Sequence, residues 1–128
     1  MLKPGAKKEY DIIKNAGLDV WVHSCGDISR VMPDLTELGA DVLNPLQPEC
    51  MDIYRLKDLY GDKLTFWGGV STQRTLPYGS PEQVREETRA VAERLAVNGG
   101  YIIAAAQGIQ GDVPFENLCA LVDEANTL

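Results

Sequence analysis

The chain alternates short runs rich in β-branched and aromatic residues with stretches of helical period, and glycine marks most of the changes. That alternation restricts the possible folds more than any other feature. Ala6, Tyr10 and Ile13 recur at i, i+4 and i+7, and Gly17 stops this first helix as a C′ glycine does. Residues 19–23 (DVWVH) then read as a strand. Val31, Leu35 and Leu38 mark a helical face closed by Gly39, with Pro33 compatible only with its first turn. A second strand is predicted over 41–46 (DVLNPL), a helix faced by Ile53, Leu56 and Leu59 runs to Gly61, and 64–70 (LTFWGGV) reads as a third strand. Ser80-Pro81-Glu82-Gln83 combines an N-cap serine, a proline at N1 and a capping-box glutamine at N3. The helix it opens presents Val84, Thr88, Val91 and Leu95 and stops at Asn98-Gly99. Residues 100–106 (GYIIAAA) form a buried strand, and Leu118, Leu121, Val122 and Ala125 supply the inward stripe of a last helix behind Pro114.

The order is one helix followed by four strand–helix units. Strands separated by such helices pair in parallel through right-handed crossovers, the hand that packs each helix back on the sheet. An α/β protein follows, with two architectures open: a doubly wound sheet, or half of an eight-stranded (β/α)8 barrel. With 128 residues, 45% of them hydrophobic, a single domain over 1–128 is predicted.

Charge and cysteine usage narrow the function classes. Twelve lysines and arginines against 19 aspartates and glutamates leave a net charge of -7, which repels a phosphate backbone or an anionic membrane surface, so neither nucleic acid nor membrane is an expected partner. The start carries lysines without an apolar leader core, and the longest apolar run, 101–106, is far below the roughly 20 residues of a membrane span. Cys25, Cys50 and Cys119 form an odd, widely spaced set, which argues against a disulfide framework and predicts a reducing, cytoplasmic setting.

In both architectures function gathers at the carboxyl ends of the strands, here the segments HSCGD, PLQPEC, GGVSTQ and AAQGIQGD. In extended chain, residues i and i+2 project to one side, so His23 and Cys25 can converge, with Gly26 permitting the bend. Imidazole nitrogen and thiolate sulfur suit zinc. Cys50, past the next strand, is the candidate third ligand, with Glu49 beside it. The same spacing also fits a buried strand end in which cysteine acts as a small hydrophobe. Cys119, on a helix among core positions, is read as packing. Asp27 is either a catalytic carboxylate or a cap for the following helix. Gln47, Gly69, Ser71, Gln73, Arg74, Gln107 and Gln110 are the candidate contacts to a small-molecule substrate, and Arg30 and Arg74 suit an anionic one.

Three segments, VHSCGDISRVMPDLTELGADVLNPLQPE, LTFWGGVSTQRTLPYGSPEQVREETR and GGYIIAAAQGIQGDVPFENLCALVDEA, resemble the second half of the uroporphyrinogen decarboxylase superfamily. The resemblance covers nearly the whole chain. It implies a (β/α)8 barrel of which residues 1–128 supply strand–helix units 5 to 8. The superfamily holds porphyrinogen decarboxylases and cobalamin-dependent methyltransferases that move a methyl group between a corrinoid and a thiol. His23-x-Cys25-Gly26 resembles the zinc-dependent methyltransferase branch, which implies zinc held by His23 and Cys25, with Cys50 as replacement third ligand, and a corrinoid protein as methyl donor. The branch's later cysteine has no counterpart in AAAQGIQGD, where Gln107 stands, and that loop also lacks the histidine of the porphyrinogen decarboxylases. Decarboxylation of a carboxylated, tetrapyrrole-like substrate is the alternative, drawing on Asp27, Arg30 and Arg74. A non-catalytic assembly subunit is the third reading. Because four strands cannot close a barrel, the resemblance implies a fragment or split gene product completed by a first-half chain, or two copies joined into one barrel, with a compact open sheet as the third arrangement.

Overall fold

The computed structural model describes residues 3–128. In chain order it contains α1 (Lys3–Asn15), β1 (Trp21–His23), a 3-10 turn (Ser29–Val31), α2 (Met32–Leu38), β2 (Val42–Leu46) and α3 (Ile53–Tyr60). There follow β3 (Thr65–Val70), α4 (Thr75–Tyr78), α5 (Pro81–Leu95), β4 (Tyr101–Ala105) and α6 (Phe115–Ala125). All strand pairs are parallel, and their order across the sheet is β1-β2-β3-β4. A doubly wound sheet reverses its order at a switch point, whereas a barrel keeps spatial order equal to chain order. The sheet never reverses, so the half-barrel is the architecture present.

The two faces of the sheet differ. Val22, Leu43, Phe66 and Tyr101 stand in register across all four strands. Leu43 and Phe66 on this row are fully buried, packed with Met32, Ile53, Leu56 and Leu95. On the alternate row Trp21 is 54% exposed and Ile102 36% exposed, and the rings of Trp21 and Trp67 meet edge to face at 5.3 Å. Helices cover the first face, and the second, the lumen side of a barrel, is the more exposed, although Val42 on it is buried. A smaller core of Val70, Leu76, Val84, Ala120 and Leu121 joins α4, α5 and α6 beyond the end of β3.

Local signals act as their chemistry requires. Gly39 closes α2 at φ 95°, donating to the Leu35 and Thr36 carbonyls. The Ser80 hydroxyl accepts from Gln83 N, and Gln83 Oε1 accepts in turn from Ser80 N. At Gly69 a Cβ would lie 2.7 Å from Val91 Cγ1 and 3.0 Å from Tyr101 Oη, so the absent side chain is what lets α5 press against β3.

Several details depart from the sequence reading. The first strand is shorter, Trp21–His23, and α4 was not anticipated. In α2 Met32 is buried and Val31 is 45% exposed, because the 3-10 turn rotates the helix start. In α3 Leu59 is 54% exposed while Lys57 is buried, its ammonium donating to the Gly99 carbonyl at 2.5 Å. In α6 the buried residues are Asn117, Ala120, Leu121 and Glu124, and Val122 is 49% exposed. The Asn117 amide donates to the Leu76 and Gly79 carbonyls, both at 2.8 Å, and Glu124 pairs with Arg89, which explains how polar residues come to face inward. Among the described residues no helix is long and apolar enough to cross a membrane.

Candidate functional site

The carboxyl ends of the strands bring His23 and Cys25 together. Their Nε2 and Sγ atoms lie 3.5 Å apart. The other ring nitrogen of His23, Nδ1, is 2.6 Å from Asn44 Oδ1, and His23 and Asn44 are register partners on β1 and β2. Parallel pairing thus sets the imidazole beside an amide that spacing within a single segment does not reveal. From beyond the end of β4, Gln107 Nε2 donates to Cys25 Sγ at 3.0 Å, while its Oε1 accepts from Gly108 N at 3.0 Å. Residues 23, 25, 44 and 107, from three loops or strands, form one polar chain on the exposed end of the sheet.

A tetrahedral zinc bound at about 2.0 Å to nitrogen and about 2.3 Å to sulfur holds those two atoms roughly 3.5 Å apart. The spacing of His23 and Cys25 fits such a group. Cys50 does not join them. It packs against the main core, its N–H donating to the Gln47 carbonyl at 3.1 Å. Among the described residues no three His, Cys, Asp or Glu side chains gather closely enough to hold a metal ion, so the expected trio is a pair in this structure. Asp27 caps a turn: its Oδ1 accepts from Ser29 N at 2.9 Å. Hydrogen bonds from the Ser29 hydroxyl and N–H hold its carboxyl below the usual range, with Arg30 adding to the effect.

The remaining candidates divide. Gln73, Gln107 and Gln110 line one cleft of about 350 Å³ with Tyr78 and Asp112, so Gln107 belongs both to this cleft and to the Cys25 contact. Arg74 lines a neighbouring hollow of about 650 Å³ with Gln83 and Glu87. Arg30 lines a third, of about 400 Å³, against Arg55 and Asp52 of the α3 region. Gln47 is buried, and its carbonyl anchors the turn to Cys50 and Met51.

Ser71 is buried as well, and its hydroxyl is already engaged, bonding to Glu49 and accepting from Arg74 N at 3.0 Å. Its N–H donates to Glu87 at 3.3 Å. It therefore ties the loop after β2 to the loop after β3 and to α5, a structural task where the sequence suggested a substrate contact. Sequence reasoning passed over Asn44 and the Glu49–Ser71–Glu87 tie. The signal available for Asn44 was its place in the second strand, which becomes a site position only once register is known.

Comparison with known proteins agrees with this architecture. The chain is 28% identical over 101 residues to the methylated-thiol–coenzyme M methyltransferase of Methanosarcina mazei, covering 79% of this chain and 26% of that protein. It is 28% identical over 124 residues to the uroporphyrinogen decarboxylase of Chloroherpeton thalassium, covering 94% of this chain and 34% of that one. A methyltransferase structure from Methanosarcina mazei superposes with a TM-score of 0.74 at 23% identity, covering 99% of this chain and 35% of the other, a likeness of fold. The chain therefore spans about a quarter to a third of the length of these relatives. The family model described as Uroporphyrinogen decarboxylase (URO-D) matches residues 1–128 throughout, and the chain belongs to that family.

Proposed function

We propose that this chain is the carboxyl-terminal half of a methyl-transferring barrel, in which His23 and Cys25 hold zinc and the glutamine-lined cleft beside them receives a thiol acceptor. The observation that carries the reading is the 3.5 Å separation of His23 Nε2 and Cys25 Sγ at the end of β1. Two relatives named for methyl transfer to coenzyme M support it, one of them a methylcobamide:CoM methyltransferase of Methanosarcina barkeri, 28% identical over 102 residues. A corrinoid carrier is the corresponding methyl donor.

Held by His23 and Cys25, zinc would lower the pKa of a bound thiol so that the thiolate would be present at neutral pH. The chain's own groups do the rest. His23 and Cys25 supply one neutral and one anionic donor. The Gln107 amide, donating to Cys25 Sγ, steadies negative charge on that sulfur. Gln73 and Gln110 offer neutral hydrogen-bonding groups along the same cleft, suited to orienting a polar acceptor. Further ligands and the closing wall come from outside this half, either from a segment carrying four more strand–helix units or from a second copy. Decarboxylation is the second reading, favoured by the longer match to a uroporphyrinogen decarboxylase and by Arg30 and Arg74, neither of which forms an ion pair among the described residues.

The test is metal content and methyl transfer from a methylated corrinoid to a thiol, measured on the chain combined with a first-half partner. The methyl-transfer reading expects bound zinc and loss of at least a hundredfold in rate in His23→Ala and Cys25→Ala. Metal-free protein together with undiminished transfer in both variants overturns it. Release of carbon dioxide from a carboxylated porphyrinogen by the same mixture would select the second reading.

A further inference from the structure

We propose that Gln107 and Asn44 are positioning residues that set the ring tautomer of His23, leaving the Nε2 electron pair turned toward Cys25. The inference rests on the reading of His23 and Cys25 as the reactive pair and adds which ring atom reacts and what holds it so.

The reasoning follows donors and acceptors along the chain. Gly108 N is a backbone N–H and can only donate. It donates to Gln107 Oε1, which fixes that amide and directs Nε2–H2 to Cys25 Sγ at 3.0 Å. With the sulfur accepting there, the thiol's own proton is free to go to His23 Nε2, 3.5 Å away. A neutral ring that accepts at Nε2 carries its proton on Nδ1. Nδ1–H then donates to Asn44 at 2.6 Å, which requires the amide oxygen to face the ring. The amide oxygen of Asn44 can only accept, so the bond at Nδ1 sets the ring form, and the bonds from Gly108 N through Gln107 and Cys25 run in the direction that this form requires. The bond donated to Asn44 serves a ligand histidine as an outer partner does in metal sites, fixing ring orientation and raising the basicity of the opposite nitrogen.

His23 is the only histidine in the chain, so the tautomer can be read without assignment ambiguity. The experiment is a long-range proton–nitrogen correlation spectrum of the full chain labelled with ¹⁵N-histidine, without metal, at a pH where the ring is neutral. The unprotonated nitrogen is expected to be Nε2, recognised by strong correlations to both ring C–H protons. Asn44→Asp, which keeps an acceptor, is expected to preserve this form. Asn44→Leu is expected to shift the ring toward the Nε2–H form that an unconstrained imidazole favours, and to weaken zinc binding by roughly tenfold to a hundredfold. Gln107→Glu, on an exposed loop, removes the donor to sulfur without disturbing the strands and is expected to broaden the tautomer distribution. A wild-type ring protonated on Nε2, or an Asn44→Leu variant that remains folded and keeps Nδ1–H, overturns the proposal. A chain with the Nδ1–H form that takes up no zinc upholds the tautomer assignment and removes only the metal.

Discussion

Asp41 precedes β2 and joins three pieces of chain at the end of the sheet opposite His23 and Cys25. Its carboxylate accepts from Val20 N at 2.6 Å and pairs with Lys14 of α1. Partial burial pushes this carboxyl up, but the Lys14 ammonium and the Val20 N–H push it further down, and its pKa lies below the usual value. A depressed folded-state pKa contributes stability that is complete above the unfolded value of about 3.9 and is lost as pH falls through the folded value. Asp41→Asn is therefore expected to cost about 1 kcal/mol at neutral pH, and the gap from wild type to close in acid once the folded-state carboxyl is protonated. Urea unfolding at both pH values measures it, and a gap that persists unchanged in acid contradicts the assignment. Residues of this kind were hard to read from sequence. The pairs His23–Cys25 and Ser80–Gln83 lie close along the chain, and spacing exposed both. Asn44, Asp41 and Glu49 gain their partners only through strand register or loop packing, the bonded residues being 21 or 22 positions apart.

Elements show the same division. Gly17, Gly39 and the proline-led capping box set helix ends through local backbone chemistry, and local chemistry is visible in sequence. The register of α6 was not, because periodicity counted apolar residues alone. Asn117 and Glu124 are buried through the carbonyls of Leu76 and Gly79 and the guanidinium of Arg89, partners on other elements. Short α4 escaped for a different reason: four residues containing Pro77 cannot present a helical period. The longest helix, α5, contacts β3, β4, α3 and α6, so its start bears on the whole half-barrel. Ser80→Ala is expected to destabilise the fold by about 1 kcal/mol, and Gln83→Ala added to it to cost less than the two single changes summed, since the two bonds are reciprocal. A double-mutant cycle by urea denaturation checks this, and strict additivity would show that the two bonds act separately.

For the molecule as a whole, the alternation of strands and helices made a parallel α/β fold legible, and motif resemblance chose the barrel over the doubly wound sheet. Strand order then settled that choice in coordinates. What no local pattern disclosed is the inequality of the two sheet faces, of which the half-barrel leaves the side carrying Trp21 and Trp67 without helices. These are the chain's two tryptophans, and they touch edge to face. The protein's indole light thus originates from the side that no helix covers, where Trp21 is 54% exposed, and its colour registers whether water or protein lies there. Mixing with a chain bearing the first four units should move the emission to shorter wavelength in step with complex formation by sedimentation, whereas a complex that leaves the spectrum unmoved has docked elsewhere. The wet aromatic pair makes closure of the lumen observable by colour alone, with no dye attached.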